Sequence, residues 1–548
     1  MLLVLGFGVA CTPPAAPTSA PIATSQADAL LARLTLEQKV GQLMMIDAAG
    51  LTVDDGLREM LEKHQVGGVI FFARNVESPA QVARLTNELQ ASALKASGVG
   101  LFVAIDQEGG RVARLTANKG FTEFPGAMAL SAAFSDPARA ADQVRRAGEA
   151  TAAEMRAVGI NTDFAPDLDV NNNPANPVIG IRSFGSDPKR VAALGTAFIE
   201  GLQGAGVLGF GKHFPGHGDT GTDSHLDLPV VNHPRARLEA VEFVPFKAAI
   251  AANVAGIMSA HISFPTIDDT PGLPGTLSAK VLTGLLRDEL HFTGLIATDS
   301  LEMGALGRSG FPPPRAAARA LQSGADLLLF NSGHKVHQAV MAEIIAGVRD
   351  GTIPLARLDD AVRRVLRAKE RFGLLQPTPV DAIKAAEICG STDHRALAAK
   401  LAAASITLLR DDAARLPLAK GAVPVVVTVP SAAKLAGLIG GVEVQVGENP
   451  SERETAEAIA AVGAHPGAPV IVTLSGAGAS QLQTELARKL IATGAPVILV
   501  AVREPYDLIA LANPVGTGSA PTLMATYGAN PPALEALAAV LRGAAKPA

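Results

Sequence analysis

The feature that most narrows the fold is an alternation. Eight short apolar runs recur between long helical stretches: VGQLMMID (40–47), VGGVIFF (66–72), LFVAIDQ (101–107), INTDFAP (160–166), VLGFGKHF (207–214), AGIMSAHI (255–262), TGLIATD (293–299) and ADLLLF (325–330). The stretches between them, such as PAQVARLTNELQASALKAS and PKRVAALGTAFIEGLQGAG, carry apolar residues at helical spacing. Eight strand–helix units predict an α/β fold, a TIM-type (β/α)8 barrel with long loops. A doubly wound open sheet is the alternative, but no Gly-rich dinucleotide turn follows the first run. A second alternation then begins: SITLLRD (405–411), VPVVVTV (423–429), APVIVTLSG (468–476), APVILVAV (495–502) and LMATYG (523–528). It reads as a smaller α/β sandwich domain with a parallel-rich sheet. The implied division is a signal-like segment and tether at 1–27, a barrel over 28–375, a linker over 376–400 and a C-terminal domain over 401–548. Thr35 to Gln38 matches a capping box, which predicts a helix start there.

Charge and composition remove several classes of function. Lys and Arg number 47 against 52 Asp and Glu, a formal charge of −5. With no basic run, nucleic acid is not expected as a partner. No apolar run reaches the ~18 residues of a spanning helix, which excludes a membrane-embedded transporter. Two cysteines, Cys11 and Cys389, build neither a disulfide framework nor a Cys-rich zinc site. With no Trp and two Tyr, an extended stacking groove is not expected, and a bound sugar would be held by hydrogen bonds in a pocket. The N-terminal MLLVLGFGVA is apolar, and Cys11 follows small residues and precedes a Pro/Ala/Ser/Thr stretch. This resembles a bacterial lipoprotein signal, although no Lys or Arg precedes the apolar stretch. It implies export, with possible membrane attachment through a lipidated Cys11 and a periplasmic or extracellular address.

The polar residues fall where a barrel keeps its chemistry. Asp106, Asp163, Lys212 with His213, His261 and Asp299 lie at or just past the C-terminal ends of their runs, and in a barrel those ends share one mouth. The densest stretch is GKHFPGHGDTGTDSH (211–225), with three His, two Asp, one Lys and four Gly. Such a loop can fold a side chain over a pocket. Asp223 stands two residues before His225, so its carboxylate can accept from one ring nitrogen, stabilise the charged ring and leave the other nitrogen to deliver a proton. A metal site built from His213, His217, Asp219 and His225 is the rival reading. Its spacing fits no standard zinc pattern, and Lys212 would repel a cation, so no metal or other cofactor is expected. Asp299 ends an apolar run and can serve as nucleophile or electrostatic stabiliser. Its structural alternative is a helix cap, since Asp-Ser-Leu-Glu fits a capping box. The C-terminal domain carries no such polar cluster apart from Glu504 and reads as structural.

AIDQEGGRVARL, NNNPANPVIGIRSFG, GKHFPGHGDTGTDSH and ATDSLEMGAL, in this order, resemble glycoside hydrolase family 3. More narrowly, they resemble its bacterial β-N-acetylglucosaminidase branch, the peptidoglycan-recycling β-hexosaminidases. The likeness runs from about residue 28 to 375, and the second domain resembles the sandwich of two-domain members. The resemblance implies that Asp299 is the nucleophile, forming a covalent glycosyl-aspartate, and that His225, paired with Asp223, is the acid/base of a retaining reaction. It also implies that Asp106, Arg114, Arg182, Lys212 and His213 bind the terminal N-acetylglucosamine. Asp167, in FAPDLDV, stands where the branch more often has an apolar residue, and Asp169 in the same run is read as support for the mouth. The implied activity is hydrolysis of terminal non-reducing β-linked GlcNAc from small oligosaccharides or muropeptides. The alternatives are a β-glucosidase or β-xylosidase of the same family, a GlcNAc phosphorylase, or a non-enzymatic cell-wall-binding lipoprotein.

Overall fold

The structure, a computed structural model, describes residues 25–331, 333–478, 480–512 and 520–548. Cys11 and most of the signal-like segment lie outside the described residues. Among those described, no helix is long and apolar enough to cross a membrane.

Eight parallel strands form the first sheet: β1 (Met44–Asp47), β2 (Gly68–Phe71), β3 (Phe102–Ile105), β4 (Thr162–Asp163), β5 (Leu208–Phe214), β6 (Gly256–Ser259), β7 (Leu295–Thr298) and β8 (Leu328–Leu329). Each pairs with its neighbour in sequence. β8 returns to β1 through Met44–Leu328 and Met45–Leu329, and an Ala297–Leu327 bridge joins β7 to β8. The result is a (β/α)8 barrel. Every strand residue is buried, because helices cover one face and the packed interior covers the other, so the strands read as continuous apolar runs. Local signals set the helix starts. Ser78, Asp136 and Asp187 each cap a helix whose first residue is Pro, over Pro79–Ser97, Pro137–Ala157 and Pro188–Gly204. The apolar run at 40–47 is strand only from Met44. Its first residues belong to the helix Leu36–Gln42, which the Thr35/Gln38 capping box starts. At the end of the barrel away from the mouth, the buried Lys369 donates to Gln42 Oε1 at 2.8 Å and lies over the Phe102 ring.

The second sheet is smaller and mixed. It contains β9 (Thr407–Arg410), β10 (Val425–Thr428), β11 (Val442–Gln445), β12 (Val470–Leu474), β13 (Val497–Ala501) and β14 (Thr522–Ala525), in the order β11-β10-β12-β13-β14-β9. All pairs are parallel except β9 with β14. The sequence pattern does not flag β11, because this edge strand reads Val-Glu-Val-Gln, with Glu443 and Gln445 exposed. The 376–400 span is not a free connection. It holds the helix Ala382–Ile388 and the start of the helix Thr392–Ser405, and Ala385, Cys389 and Ala398 pack into the barrel core. Buried Glu154 ties it further, accepting from the Gly390 N–H at 3.0 Å and His394 Nδ1 at 2.8 Å. Met128, Ala129 and Ile181 of the barrel chain pack in the core of the second sheet. Burying side chains the size of Met128 and Ile181 is worth about 1.5–3 kcal/mol each.

Candidate active site

The parallel ring converts positions scattered along the chain into one mouth. A cavity of about 320 Å³ opens there, and the eight residues assigned catalytic or sugar-binding roles from the sequence line it, while Asp163 and His261 do not. That volume is at the small end of the about 300–1,000 Å³ usual for ligand pockets, a size for one terminal residue and not a long chain.

Charges organise its floor. Past β3, Asp106 and Glu108 face Lys212, near the end of β5, and Lys212 Nζ lies 2.8 Å from Asp106 Oδ1 and 2.7 Å from Glu108 Oε1. Arg182 reaches Glu108 with two parallel hydrogen bonds, from Nε to Oε2 and from Nη2 to Oε1, both 2.8 Å. Burial opposes charge on Glu108, but Arg182 and Lys212 overcome it and hold the carboxyl well below its usual range. The same carboxylates keep Lys212 protonated against burial. Arg114 anchors its own backbone, its N–H donating to Gln107 Oε1 at 2.8 Å, while its buried Nε has no protein partner. Asp163 does not line the cavity. It is buried and accepts from the Gln107 N–H at 3.0 Å, holding the loop after β3.

A second layer supports His213. Burial, with Arg182 next, pushes its ring down to about 4, so the ring is neutral near pH 7. Its Nδ1–H donates to Asp169 Oδ2 at 2.7 Å. Asp169 also accepts from the backbone N–H groups of His213 and His217. Burial lifts the Asp169 carboxyl to about 6, with those N–H groups opposing. Asp167 is buried beside it and raised well above its ordinary value, first by burial and then by the charge of Asp169. Its Oδ2 has no hydrogen-bond partner. Asp167, Asp169 and His213 bring three possible ligand atoms within 4.8 Å of one another. The Asp169 oxygens and His213 Nδ1 are already engaged, and Arg182 Nη2 stands 3.8 Å from Asp167 Oδ2. That donor set suits a guanidinium better than a cation bound from solution.

Asp299 follows β7 directly. Its Oδ1 accepts from the Ser300 N–H at 2.7 Å, but the next helix, Gly304–Arg308, starts later and is preceded by Met303, so the capping box is not formed. His261 Nε2 bonds the Ser300 carbonyl at 2.9 Å and fixes that turn. Burial works against ionisation of Asp299, yet the facing rings of His261 and His213 and the Ser300 N–H outweigh it and hold the carboxyl below its ordinary value. Above the cavity, Asp223 Oδ1 accepts from both the His225 N–H at 2.8 Å and its Nδ1 at 2.7 Å, so Nε2 is left free. His217 clasps this loop from inside: Nδ1 meets Thr220 Oγ at 2.7 Å and Nε2 meets Ser224 Oγ at 3.0 Å. Its pKa, pushed down to about 3 by burial, fits a neutral structural ring. His233 pairs with Asp219 at the base of the loop. Gly304 has no Cβ because one would stand 2.5 Å from the His225 carbonyl oxygen. An ionised carboxylate and an imidazole oriented by a second carboxylate thus share one pocket, the equipment for nucleophilic attack with general acid/base assistance.

The sequence reading left out Glu108 and Arg111, which also line the cavity. Glu108 stands two residues beyond Asp106, a spacing that could have nominated it. Arg111 lies at the rim, 4.0 Å from Glu504 of the second domain, and no local pattern announces that meeting.

The sequence matches the family described as glycosyl hydrolase family 3 N terminal domain over residues 35–368. It is 34% identical to Beta-hexosaminidase A of Pseudoalteromonas piscicida over 446 residues, 75% of this chain and 73% of that protein. The solved structure of a glycoside hydrolase family 3 beta-N-acetylglucosaminidase from Paenibacillus sp. str. FPU-7 is similar with a TM-score of 0.85 at 38% identity, covering 93% of this chain and 97% of that one. A beta-glucoside phosphorylase structure is similar with a TM-score of 0.80 at 25% identity, covering 95% of this chain and 94% of that one.

Proposed function

Because the chain belongs to glycosyl hydrolase family 3 and is a glycoside hydrolase of its β-N-acetylglucosaminidase kind, we propose that it removes terminal non-reducing GlcNAc with retention of configuration. Asp299 attacks the anomeric carbon while protonated His225 gives its Nε2 proton to the departing oxygen. The leaving group then departs as an alcohol, with a covalent glycosyl-aspartate left behind. In the second step His225 takes a proton from water, the hydroxide attacks the anomeric carbon, and Asp299 is released as carboxylate. The observation that carries this reading is the Asp223–His225 pair above the cavity that Asp299 also lines. It supplies acid/base chemistry where a second carboxylate would otherwise be required.

Asp106, Glu108, Arg114, Arg182, Lys212 and His213 suit dense hydroxyl and amide recognition without stacking. The natural substrates in this proposal are peptidoglycan fragments, and the lipoprotein-like sequence around Cys11 supports an exported, membrane-attached enzyme. The test is hydrolysis of p-nitrophenyl β-N-acetylglucosaminide against the matching β-glucoside, with Asp299→Asn alongside. Strong preference for the N-acetyl sugar, abolished in the variant, is expected. Equal turnover of both sugars would refute the specificity, and an active Asp299→Asn would refute the nucleophile. Phosphorolysis is a second reading, favoured by the likeness to a phosphorylase and by an acid/base group that carries no negative charge to repel phosphate. Release of GlcNAc 1-phosphate when inorganic phosphate is added would establish it.

A further inference from the structure

Among the described residues, Glu504 and Tyr506 of the second domain reach the turn beneath the sugar site. Glu504 follows β13 and is directed at the barrel, where its Oε2 accepts from the Ile181 N–H at 3.1 Å. Ile181 is the middle residue of the turn Gly180–Arg182, and Arg182 is the residue that grips Glu108 in the cavity floor. The approach is close: a Cβ on Gly180 would lie 2.5 Å from both carboxylate oxygens. Gly180 also has φ +47°, a conformation that favours glycine. A second thread runs beside the first. Tyr506 OH accepts from Asn171 Nδ2 at 3.0 Å, and Asn171 Oδ1 accepts from the Gly180 N–H at 3.2 Å. Glu504 Oε1 lies 4.0 Å from Arg111 Nη1 on the cavity rim and 3.6 Å from Arg503 Nε.

We propose that Glu504 is a positioning residue for the sugar-binding site, supplied by the second domain, which fixes the turn that presents Arg182. The second domain is then part of the binding apparatus and not only a support. This inference rests on the reading that Arg182 binds the terminal sugar. Glu504 does not reach the reacting atoms; it acts through the backbone of the turn. Gly180 and Ile181 are buried, so loss of the carboxylate leaves the Ile181 N–H without its acceptor and loosens the turn.

The experiment measures kcat and KM on p-nitrophenyl β-N-acetylglucosaminide for the full chain, Arg182→Ala, Glu504→Ala, Glu504→Gln and the double variant Arg182→Ala/Glu504→Ala. Loss of one charge-assisted hydrogen bond predicts that Glu504→Ala raises KM about tenfold with kcat within about threefold. Glu504→Gln keeps an oxygen for the Ile181 N–H and recovers most of the affinity. The double variant is no worse than Arg182→Ala, since a residue acting through Arg182 has nothing left to position. A fall in kcat at unchanged KM, or additive losses in the double variant, would overturn the proposal. If Arg182→Ala raises KM and Glu504→Ala does not, only the positioning role falls. If Arg182→Ala leaves KM unchanged, the sugar-binding reading falls and takes this inference with it.

Discussion

Asp223→Asn separates the chemistry of the loop dyad from its contribution to stability. The His225 side chain is 61% exposed and that of Asp223 30%, so the pair is worth no more than about 1 kcal/mol to the fold. Thermal unfolding should therefore barely move. The catalytic cost is larger. Asp223 Oδ1 holds both the His225 N–H and Nδ1. An amide there removes the negative charge that stabilises the protonated ring and can select the wrong tautomer. General acid assistance is worth about 10²–10⁴-fold, or about 2.7–5.4 kcal/mol of barrier. That loss should appear in full on the β-1,4-linked GlcNAc disaccharide, whose leaving alcohol needs a proton. On p-nitrophenyl β-N-acetylglucosaminide, whose leaving group departs with little help, the loss should stay below about tenfold in the glycosylation step. His225→Ala should follow the same pattern. The acid side of the pH profile gives a further check. Burial raises the Asp223 carboxyl, but the His225 N–H and ring outweigh it and hold it below its ordinary value. A depressed carboxylate is intact above the ordinary range and is lost as pH falls through the folded value, so the acid limb set by Asp223 lies below the ordinary carboxylate range. Equal losses on both substrates, or a large fall in unfolding temperature, would refute the reasoning.

Two further perturbations test the layers beneath the cavity. Asp167→Asn should change stability by no more than about 1 kcal/mol, because burial and the charge of Asp169 favour the neutral acid at this position, and an amide resembles it. Asp169→Asn should cost about 3 kcal/mol or more, since its amide N–H₂ would confront donors from His213 and His217; chemical denaturation of the two variants would refute this by giving the reverse order. Burial pushes the Lys369 amine down to about 7. Between that value and its ordinary 10.5 the unfolded chain binds the extra proton, so stability rises with pH across that window by up to about 1.4 kcal/mol per unit. Lys369→Met should flatten that slope, and an unchanged slope in denaturant titrations at pH 7 to 10 would show that the amine stays charged.

Barrel strands were legible because burial on two faces turns them into unbroken apolar runs, and because Ser-Pro and Asp-Pro pairs announce the helices that follow. β11 was not legible, since an edge strand with one wet face alternates instead. The helix over Leu36–Gln42 borrowed the start of an apolar run, because Val40 is buried in either state and the capping box decided the matter. The candidate site was largely legible because barrel topology carries strand ends to one mouth whatever their distance in sequence. Glu108 and Glu504 were harder to find. Their meaning lies in partners 74 and 323 residues away, Arg182 and Ile181, and no local period reports such a meeting.

The order in which these contacts can form differs from their order along the chain. Each barrel strand pairs with its sequence neighbour, so the ring can grow as the chain emerges and closes once β8 meets β1. In the second sheet the first strand must wait: among the described residues, β9 pairs only with β14, the last strand. The turn that bears Arg182 is long since made, yet the carboxylate that holds Ile181 arrives with the final strands. A chain interrupted between the two sheets would carry every reacting group and still lack the brace on its sugar grip. Full affinity for the sugar is therefore among the last properties the molecule acquires, after every reacting group is in place.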